Sequence, residues 1–322
     1  MKRDIFLGVD LGGTNIVLAG VTSAGEIIKR LNIPTPQPAS PKKVVEAIVA
    51  GVKTLTLDLS RWKIRGLGIG CAGDVDYQKG MVRFSPNLGW RNVCLVRELA
   101  KKISLPIVMD NDANVAALGA YYLEGKNKIK NLVCVTLGTG VGGGLIFDGR
   151  LYRGATGSAG EIGHLTLDPH GPLCKCGNNG CLERYVGAAY LSKIIQYRLI
   201  TKEGKKSLLY HWIKNKSIHL SPRTLSKAAQ KGDKLALRLW QEIGENLGIA
   251  MAGIVNLLNP EMIVFSGGVS RAQKFFLPAL KKVLSRRAFN TPVKAAKIII
   301  TKHSQNLGVV GAALLNIGDG VR

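Results

Sequence analysis

The chain has 322 residues, of which 46% are hydrophobic and 20% are charged. This composition supplies enough apolar side chains for a sizeable core and excludes a disordered protein, and the length favours two domains or one large α/β unit. Lysine and arginine number 45 against 21 acidic residues, a formal net charge of +24 that suits an anionic substrate or partner. No apolar run reaches the ~20 residues of a membrane span and we find no export signal, so we expect a cytoplasmic protein.

A strand, a glycine turn and a second strand open the chain. Residues 5–10 are predicted as a buried strand, 11–14 as a turn and 15–21 as the second strand. The elements that follow alternate between helix and strand, which is typical of α/β proteins. They are a helix at 41–57, a strand at 64–69, a helix at 95–102 and a strand at 106–109.

The same strand and turn pattern recurs later in the chain. Residues 132–137 predict a strand, 138–144 a glycine-rich turn and 145–147 another strand. The repeat indicates a duplicated architecture in which two like halves face each other, although two glycine hairpins also occur by chance. The remainder is predicted as a Cys-rich loop, a largely helical stretch at 188–258, a strand at 262–265 and a turn at 266–268.

Both glycine turns suit a phosphate group, because glycine lets a backbone approach closely and adopt positive φ. Each turn carries a threonine, Thr14 or Thr139. Neither turn is a Walker loop and neither opens a helix, so the alternative is a plain tight hairpin. Asp10 ends the first strand and is predicted to hold Mg²⁺ through water or to orient a phosphate; alternatively it caps the turn.

Four residues have the chemistry of a metal-binding set: His164, Cys174, Cys176 and Cys181. Three thiolates and one imidazole make a tetrahedral zinc site. In a reducing compartment such a cluster indicates a metal site and not disulfides. Four protein ligands leave no open position, so we expect the zinc to be structural. The alternative is a loop of reduced thiols with an unrelated histidine.

Carboxylates stand near these motifs. Asp112 follows a predicted strand and precedes a predicted helix, a position where α/β proteins place reactive groups. Asp110 and Asp112 flank Asn111, and either acid could instead cap the helix. Glu161 and Glu183 lie beside the metal motif, where they can accept hydrogen bonds from hydroxyl groups.

Taken together, these motifs resemble the ROK family of sugar kinases and repressors, and most closely its bacterial glucokinases. The resemblance covers nearly the whole chain and rests on 10–15 (DLGGTN), 85–90 (SPNLGW), 110–114 (DNDAN), 137–144 (LGTGVGGG), 161–164 (EIGH), 174–183 (CKCGNNGCLE) and 265–269 (FSGGV). The glycine motifs are weak individually, whereas E-x-G-H followed by C-x-C-G-x-x-G-C-x-E is highly specific.

This resemblance implies an actin-like ATPase, or ribonuclease H-like, fold of two α/β domains around a cleft, with a zinc-binding loop. The expected N-terminal α/β domain comprises residues 1–112 plus about 305–322. The expected C-terminal α/β domain comprises residues 113–304 and carries the zinc loop at 161–183. The last helix, about 308–317, should return to the first domain.

Site roles follow from the same resemblance. Asp112 is the expected general base, and the hexose is expected to bind to Gly73, Asn87, Asn111, Asp112, Glu161, His164 and Glu183. The nucleotide is expected to bind to Asp10, Gly12, Gly13, Thr14, Asn15, Gly138, Thr139, Gly140, Gly142, Gly267 and Gly268. The implied cofactors are ATP, Mg²⁺ and Zn²⁺, with His164 placing one ring nitrogen on zinc and the other toward the sugar.

The expected reaction is ATP-dependent phosphorylation of a hexose, first glucose to glucose 6-phosphate. Residues 71–76 read CAGDVD where many family members have P-G-x-[VI]-D. Asp74 therefore leaves an N-acetylhexosamine or another hexose as an alternative. A sugar-sensing transcription regulator is the alternative from another class, although the first turn begins by residue 11 and leaves no room for a preceding helix-turn-helix domain. An inactive zinc-stabilised scaffold is disfavoured because Asp112 and both turns are intact.

Two segments hold most of the excess positive charge. Residues 193–238 contain twelve Lys or Arg and two acids, and residues 271–302 contain nine Lys or Arg and no acid. A solvated basic face is the default interpretation; attraction of ATP or nonspecific nucleic-acid binding is the alternative. The family resemblance also implies a homodimer, and no membrane partner is expected.

Overall fold

A computed structural model describes residues 2–126, 128–215 and 219–318. The predicted charge at Lys216 and the end of the predicted first domain at 319–322 lie outside these residues. The chain folds into two compact units. Unit 1 comprises Met1–Cys134, Gly143–Gly160 and Thr301–Arg322, and unit 2 comprises Val135–Gly142 and Glu161–Ile300.

Strands and helices alternate along the described residues. The strands are β1 (Asp4–Leu11), β2 (Asn15–Val21), β3 (Ile27–Pro34), β4 (Lys63–Cys71), β5 (Asp74–Asp76), β6 (Met81–Ser85), β7 (Trp90–Val93), β8 (Ile107–Asn111), β9 (Leu132–Leu137), β10 (Val141–Phe147), β11 (Arg150–Tyr152), β12 (Met262–Ser266) and β13 (Lys297–Ile300). The helices are α1 (Pro41–Asp58), α2 (Leu95–Ala100), α3 (Asp112–Leu123), α4 (Glu183–Val186), α5 (Ala188–Leu199), α6 (Leu208–Lys214), α7 (Pro222–Gln230), α8 (Lys234–Leu258), α9 (Gln273–Arg287), α10 (Asn290–Ala295) and α11 (Leu307–Gly318). Short 3₁₀ turns lie at Ile162–His164, Gly204–Lys206 and Val269–Ala272.

Unit 1 is built on a mixed sheet of order β3-β2-β1-β4-β8. β1 is antiparallel to β2 and parallel to β4, and β4 is parallel to β8. The apolar residues of β1 are fully buried, as expected for a central strand with both faces covered. Helix α1 packs near β2 and β3 through residues at helical spacing, Val45, Ile48, Val52 and Leu55.

Helix α11 packs against β1, β4 and α3. A Cβ on Gly68 of β4 would collide with the Ala312 carbonyl, and one on Gly311 would collide with the Val115 carbonyl. Glycine at these positions lets the helix backbone lie directly on the sheet and on α3. Helix α3 therefore belongs to unit 1, whereas the predicted domain boundary after residue 112 separates it from that sheet.

A second sheet has the order β11-β10-β9-β12-β13, and a third has the order β5-β6-β7. The predicted glycine turn at 138–144 is wrong in its second half, since β10 begins at Val141. A Cβ on Gly144 would meet the Ala113 carbonyl and the Ala117 side chain. This glycine therefore allows α3 to approach a strand, and does not form a turn.

Unit 2 is largely helical. In the described part of the predicted helical stretch at 188–258, the helices are α5, α6, α7 and α8. The long helix α8 packs along α9, and its fully buried Trp240 lies against Phe276 at 6.2 Å between ring centroids. Among the described residues, no helix combines the length and apolarity that a membrane span requires.

Candidate functional site

The carboxyl ends of three parallel strands meet at one edge of the first sheet. The register aligns Asp10 with Gly70 and Gly70 with Asp110, so β1, β4 and β8 end together. Asn111 ends β8 and Asp112 begins α3 directly after it. Carboxylates at this edge of an open α/β sheet occupy the usual place for ligand binding.

Asp10 is half-buried at this edge, next to the first residues of α11. A Cβ on Gly308 would collide with its carboxylate, so only glycine leaves room for the acid there. Burial raises the pKa of Asp10 from 3.8 to about 6, against a smaller lowering by Arg30. A bound cation or a nearby donor would favour the charged form of this group.

Asn111 forms the N-cap of α3. Its Oδ1 accepts hydrogen bonds from the backbone N–H of Ala113 at 2.8 Å and of Asn114 at 3.2 Å. Its Nδ2 donates to the Gly73 carbonyl at 2.8 Å. The prediction that Asp110 or Asp112 caps the helix is therefore wrong, because the amide between them reaches two N–H groups.

Asp112 is half-buried in the first turn of α3, with Oδ1 3.0 Å from the Ala113 N–H. The N-terminal end of a helix stabilises a negative charge. Burial raises the pKa of the neighbouring Cys71 thiol, and the charges of Asp112 and Asp10 raise it further. Both aspartates thus act electrostatically on the same buried thiol at this edge.

Asp110 has different surroundings and is only 2% exposed. Its carboxylate accepts hydrogen bonds from Arg153 Nε and, at 2.8 Å, from Asn114 Nδ2. The guanidinium of Arg153 also lies 4.5 Å from the centroid of the Tyr77 ring. Asp110 is thus held inside unit 1 by an ion pair that the sequence pattern did not reveal.

The first glycine turn is tight and braced by a neighbouring strand end. The Gly12 N–H donates to the Asn15 carbonyl at 3.0 Å. Thr35 Oγ1 donates to the Gly12 carbonyl at 2.7 Å, and Gln37 Nε2 donates to the Gly13 carbonyl at 3.0 Å. Thr14 and Asn15 remain exposed. The turn therefore presents its polar tip to solvent on a fixed base.

The predicted sugar ligand Asn87 lies beside this turn. A Cβ on Gly13 would come within 2.9 Å of the Asn87 carbonyl oxygen. Gly73, another predicted sugar ligand, accepts the hydrogen bond of Asn111 and has φ +126°, a conformation that favours glycine. Unit 1 therefore brings Gly73, Asn87, Asn111 and Asp112 to the region around the sheet edge.

The second glycine turn lies in unit 2. The Gly138 N–H donates to the Gly140 carbonyl at 3.0 Å. The first residues of α5 donate backbone N–H groups to the turn, Ala188 to Gly138 and Ala189 to Thr139, each at 3.0 Å. The turn is therefore fixed by a helix start, and Thr139 stays exposed.

A cavity of about 770 Å³ in unit 2 is lined by Gly138, Thr139 and Gly268. The residue before Gly268, Gly267, adopts φ +91° and packs on the Leu137 backbone, where a Cβ would collide. Helix α7 contributes Arg223 and Lys227 to the cavity wall, and the 3₁₀ turn Val269–Ala272 contributes Arg271. Sequence reasoning missed these cations, and only the basic composition of 193–238 and 271–302 hinted at them.

The four predicted metal ligands come together. The donor atoms of His164, Cys174, Cys176 and Cys181 all lie within 4.8 Å of one another. Cys176 Sγ is 3.6 Å from Cys181 Sγ, and Cys174 Sγ is 3.8 Å from His164 Nδ1. Tetrahedral zinc with bonds of about 2.3 Å to sulfur needs sulfur atoms about 3.8 Å apart. The donor set and its spacing therefore fit a four-coordinate metal ion.

The loop is shaped by hydrogen bonds within its own backbone. The Cys174 N–H donates to the Asn178 carbonyl at 2.7 Å, and the Gly180 N–H donates to the Pro172 carbonyl at 2.9 Å. Gly180 has φ +64°, and a Cβ there would collide with the Asp168 carbonyl. Gly180, which directly precedes Cys181, is thus required for the fold of the loop.

Two glutamates flank this cluster of candidate metal ligands. Glu161 is exposed, and its Oε2 lies 3.9 Å from His164 Nε2, the ring nitrogen opposite the one that faces Cys174. Glu183 Oε2 accepts a hydrogen bond from the Val141 N–H at 2.9 Å and lies against Gly140. Glu183 thereby links the metal loop to the second glycine turn.

Comparison with known proteins identifies the family. The model of the ROK family matches residues 6–318. A glucokinase of Halalkalibacterium halodurans is 35% identical over 96% of this chain and 94% of the relative. The crystal structure of a ROK family glucokinase from Streptomyces griseus, in complex with glucose and AMPPNP, aligns with a TM-score of 0.80 at 31% identity and covers 97% of this chain and 98% of that one. The chain belongs to the ROK family.

Repressors occur among its relatives as well. A xylose repressor of Caldicellulosiruptor bescii is 34% identical over 80% of this chain and 63% of the repressor. The predicted ROK resemblance and the actin-like ATPase fold class are confirmed.

The structure places the predicted site residues of this ROK protein in two groups. Unit 1 carries Asp10, Gly12, Gly13, Thr14, Asn15, Gly73, Asn87, Asn111 and Asp112. Unit 2 carries Gly138, Thr139, Gly140, Gly142, Glu161, His164, Cys174, Cys176, Cys181, Glu183, Gly267 and Gly268. Gly142 lies within β10, so its predicted place in a turn is the one structural correction in this set.

Proposed function

We propose that this chain is an ATP-dependent hexose kinase whose principal reaction converts glucose to glucose 6-phosphate. The observation that carries the proposal is the shared edge of β1, β4 and β8, which sets Asp10 and Asp112 at the carboxyl ends of parallel strands. A fixed carboxylate near a sugar hydroxyl and a second acid near a phosphate are what phosphoryl transfer requires. The named activity of the related glucokinases supports the same substrate pair.

Asp112 is the proposed general base. A hydroxyl is a weak nucleophile, so a carboxylate within hydrogen-bond reach accepts its proton as the new bond to phosphorus forms. The α3 N-terminus favours the ionised carboxylate that this role needs. Asn111, fixed by its two cap bonds, positions Asp112 and presents its amide toward the same region.

The two glycine turns are the proposed phosphate contacts, and the 770 Å³ cavity is the proposed nucleoside site. Backbone N–H groups free of side chains can approach phosphate oxygens, and Thr14 and Thr139 add exposed hydroxyl donors. Asp10 is the proposed partner of Mg²⁺, directly or through water. When bound, Mg²⁺ would neutralise charge that develops on the phosphates.

Zinc is the proposed occupant of the cluster of three cysteines and His164. Holding Nδ1 in the cluster fixes the imidazole ring, so that Nε2 can face a sugar hydroxyl together with Glu161. We propose Glu183, Gly73 and Asn87 as further sugar contacts. The metal thus acts through the geometry of the loop and takes no part in the reaction itself.

The test is a coupled assay for ADP formation with purified protein, glucose and MgATP. We expect glucose-dependent turnover that falls by about 10²- to 10⁴-fold in Asp112→Asn while the dissociation constant for glucose changes little. The matched control is Asp58→Asn on the exposed end of α1, which should keep wild-type turnover. Turnover in Asp112→Asn within a few-fold of wild type would remove the assignment of Asp112.

The same assay ranks the alternatives. N-acetylglucosamine, N-acetylmannosamine, mannose, fructose and allose replace glucose in parallel reactions, since Asp74 departs from the family pattern near the sugar-binding residues. A higher kcat/KM for an N-acetylated sugar would transfer the proposal to an N-acetylhexosamine kinase. The relationship to xylose repressors favours a sugar-sensing regulator as the second candidate, which sugar binding without any ADP formation would support.

We also propose a homodimer and a cytoplasmic location. ATP and the hexose are cytoplasmic metabolites, and dimers are implied by the family resemblance. Sedimentation velocity of the purified chain across a hundredfold concentration range tests the assembly, and a monomer throughout would contradict it.

A further inference from the structure

A second cavity in unit 2 has no role in the proposed reaction. It has a volume of about 620 Å³, and its wall includes the aliphatic side chains Leu191, Ile195, Leu225, Leu239 and Ile243 of α5, α7 and α8. Small-molecule sites have volumes of roughly 300–1,000 Å³, mostly apolar walls and a few convergent polar groups. The size and the wall of this cavity meet that description.

Two polar side chains in the wall lack hydrogen-bond partners. Tyr190 is only 6% exposed, and its hydroxyl has no partner among the described residues. Within the same described set, the buried Nε of Arg184 also has none, although the Arg184 guanidinium lies 4.0 Å from the centroid of the Tyr190 ring. Both atoms are buried, so they lie behind the cavity surface and do not themselves contact a ligand in the cavity.

The charged side chains in the cavity wall indicate which kind of ligand the cavity can bind. Its lining includes Arg184, Lys193 and Arg198 and the single acid Glu242. That acid is paired with Arg198 at 2.8 Å, which leaves Arg184 and Lys193 as the cations available to a ligand. An anionic group would satisfy them, and an apolar body would fill the aliphatic part of the cavity.

The cavity is separate from every residue assigned above to sugar, nucleotide or metal, because none of those residues lines it. It nevertheless adjoins the metal loop. Pro172 of that loop lines the cavity, and Arg184 and Tyr185 directly follow Glu183.

We propose that this cavity is a binding site for a small organic anion with an apolar body, distinct from the substrate sites. The anionic group binds at Arg184 and Lys193, and the apolar body packs on the aliphatic wall. The proposal concerns binding alone and stands independently of the proposed kinase activity.

The test uses 1-anilinonaphthalene-8-sulfonate, a fluorescent aromatic anion, with the folded, metal-loaded full chain. We expect saturable binding of one probe per chain that persists with saturating glucose and AMPPNP. Arg184→Met and Lys193→Met should each weaken the probe three- to tenfold, and Ile194→Trp should abolish binding by filling the cavity. The matched controls, Arg286→Met and Tyr152→Phe, lie outside the cavity and should leave the affinity unchanged.

Thermal unfolding without the probe provides a second measurement. Tyr190→Phe removes an unsatisfied buried hydroxyl, so its Tm should equal or exceed that of wild type. Unchanged affinity in both Arg184→Met and Lys193→Met, or displacement of the probe by AMPPNP, would overturn the proposal. A third result would also overturn the proposal: the probe does not bind, and Ile194→Trp converts a dimer to a monomer in sedimentation. The cavity face would then be covered by a second copy of the chain.

Discussion

Two aspartates only two positions apart have opposite surroundings. Asp110 is buried, paired with Arg153 and bonded to Asn114, whereas Asp112 lies half-buried in the first turn of α3. An acid whose lone pairs are filled by buried internal donors serves stability, whereas the N-terminus of a helix favours the ionised form of an acid in its first turn. The sequence Asp-Asn-Asp is symmetric, so only the fold distinguishes the two.

Asp110→Asn should therefore destabilise the protein. The substitution removes the carboxylate that pairs with Arg153, whose side chain is only 10% exposed. Breaking a buried ion pair in this way lowers the free energy of unfolding by about 3–5 kcal/mol. Equilibrium urea unfolding measures the loss, with Asp112→Asn as the comparison expected to unfold close to wild type. Equal unfolding midpoints for Asp110→Asn and wild type would contradict the structural role.

The stability of the ligand-free protein should depend on pH through Asp10. Its pKa is about 6 in the folded protein against 3.8 ordinarily, so the folded state binds more protons between these values. The contribution of Asp10 to the free energy of unfolding is therefore most favourable below pH 4 and declines as the pH rises through 6.

Asp10→Asn removes this dependence. Its unfolding free energy relative to wild type should increase from pH 4 to pH 7 by about 2 kcal/mol, because the variant has no charge to bury. Urea unfolding at four pH values without nucleotide or Mg²⁺ measures it. A difference that stays constant across this window would show that Asp10 does not titrate there.

At the scale of elements, the loop that carries the three cysteines is held by short backbone hydrogen bonds and by isolated bridges, Thr166 with Cys181 and Leu173 with Asn179. Cys174 and Cys181 are buried, whereas Cys176 is exposed. We propose that a bound metal ion adds to the stability that these backbone contacts supply. Removing one ligand should therefore release the ion and disorder His164 and Glu161 at the same time.

Cys176→Ser tests that coupling. We expect zinc content to fall from about one per chain to a small fraction of that value, with a raised KM for glucose, because a serine hydroxyl is a poor zinc ligand. Elemental analysis of the purified variant measures the metal. The control is Cys94→Ser, a half-buried free cysteine outside the cluster that should retain full zinc content. Unchanged zinc in Cys176→Ser would contradict the four-ligand site.

At the scale of the whole molecule, the net charge of +24 should produce weak attraction to any polyanion. Duplex DNA binding at 50 mM salt should be independent of sequence and should weaken by about 10³-fold or more at 200 mM if six or more phosphates are contacted. Fluorescence anisotropy with two unrelated duplexes measures it. Salt-resistant preference for one duplex would instead favour the regulator that the xylose repressor relatives suggest.

The variant Lys281→Gln/Lys282→Gln/Arg286→Gln on α9 should weaken this attraction more than the double change Lys42→Gln/Lys43→Gln on α1. The reason is that the α9 positions lie in a segment without acids, where no carboxylate offsets the local positive potential.

Short sequence patterns predicted several features of this protein without any tertiary information. The strand and turn repeat, the glycine motifs and the set of one histidine and three cysteines depend on short stretches of backbone and side-chain chemistry. They sufficed to predict the family and a set of four donor residues that the fold brings together. Tertiary structure decided the rest. Asn111, and not a neighbouring aspartate, is the N-cap of α3. Asp110 pairs with Arg153, 43 positions away in the chain. Glycines allow α3 and α11 to pack on one sheet. These outcomes depend on which distant groups come into contact, and no periodicity within a single segment encodes that.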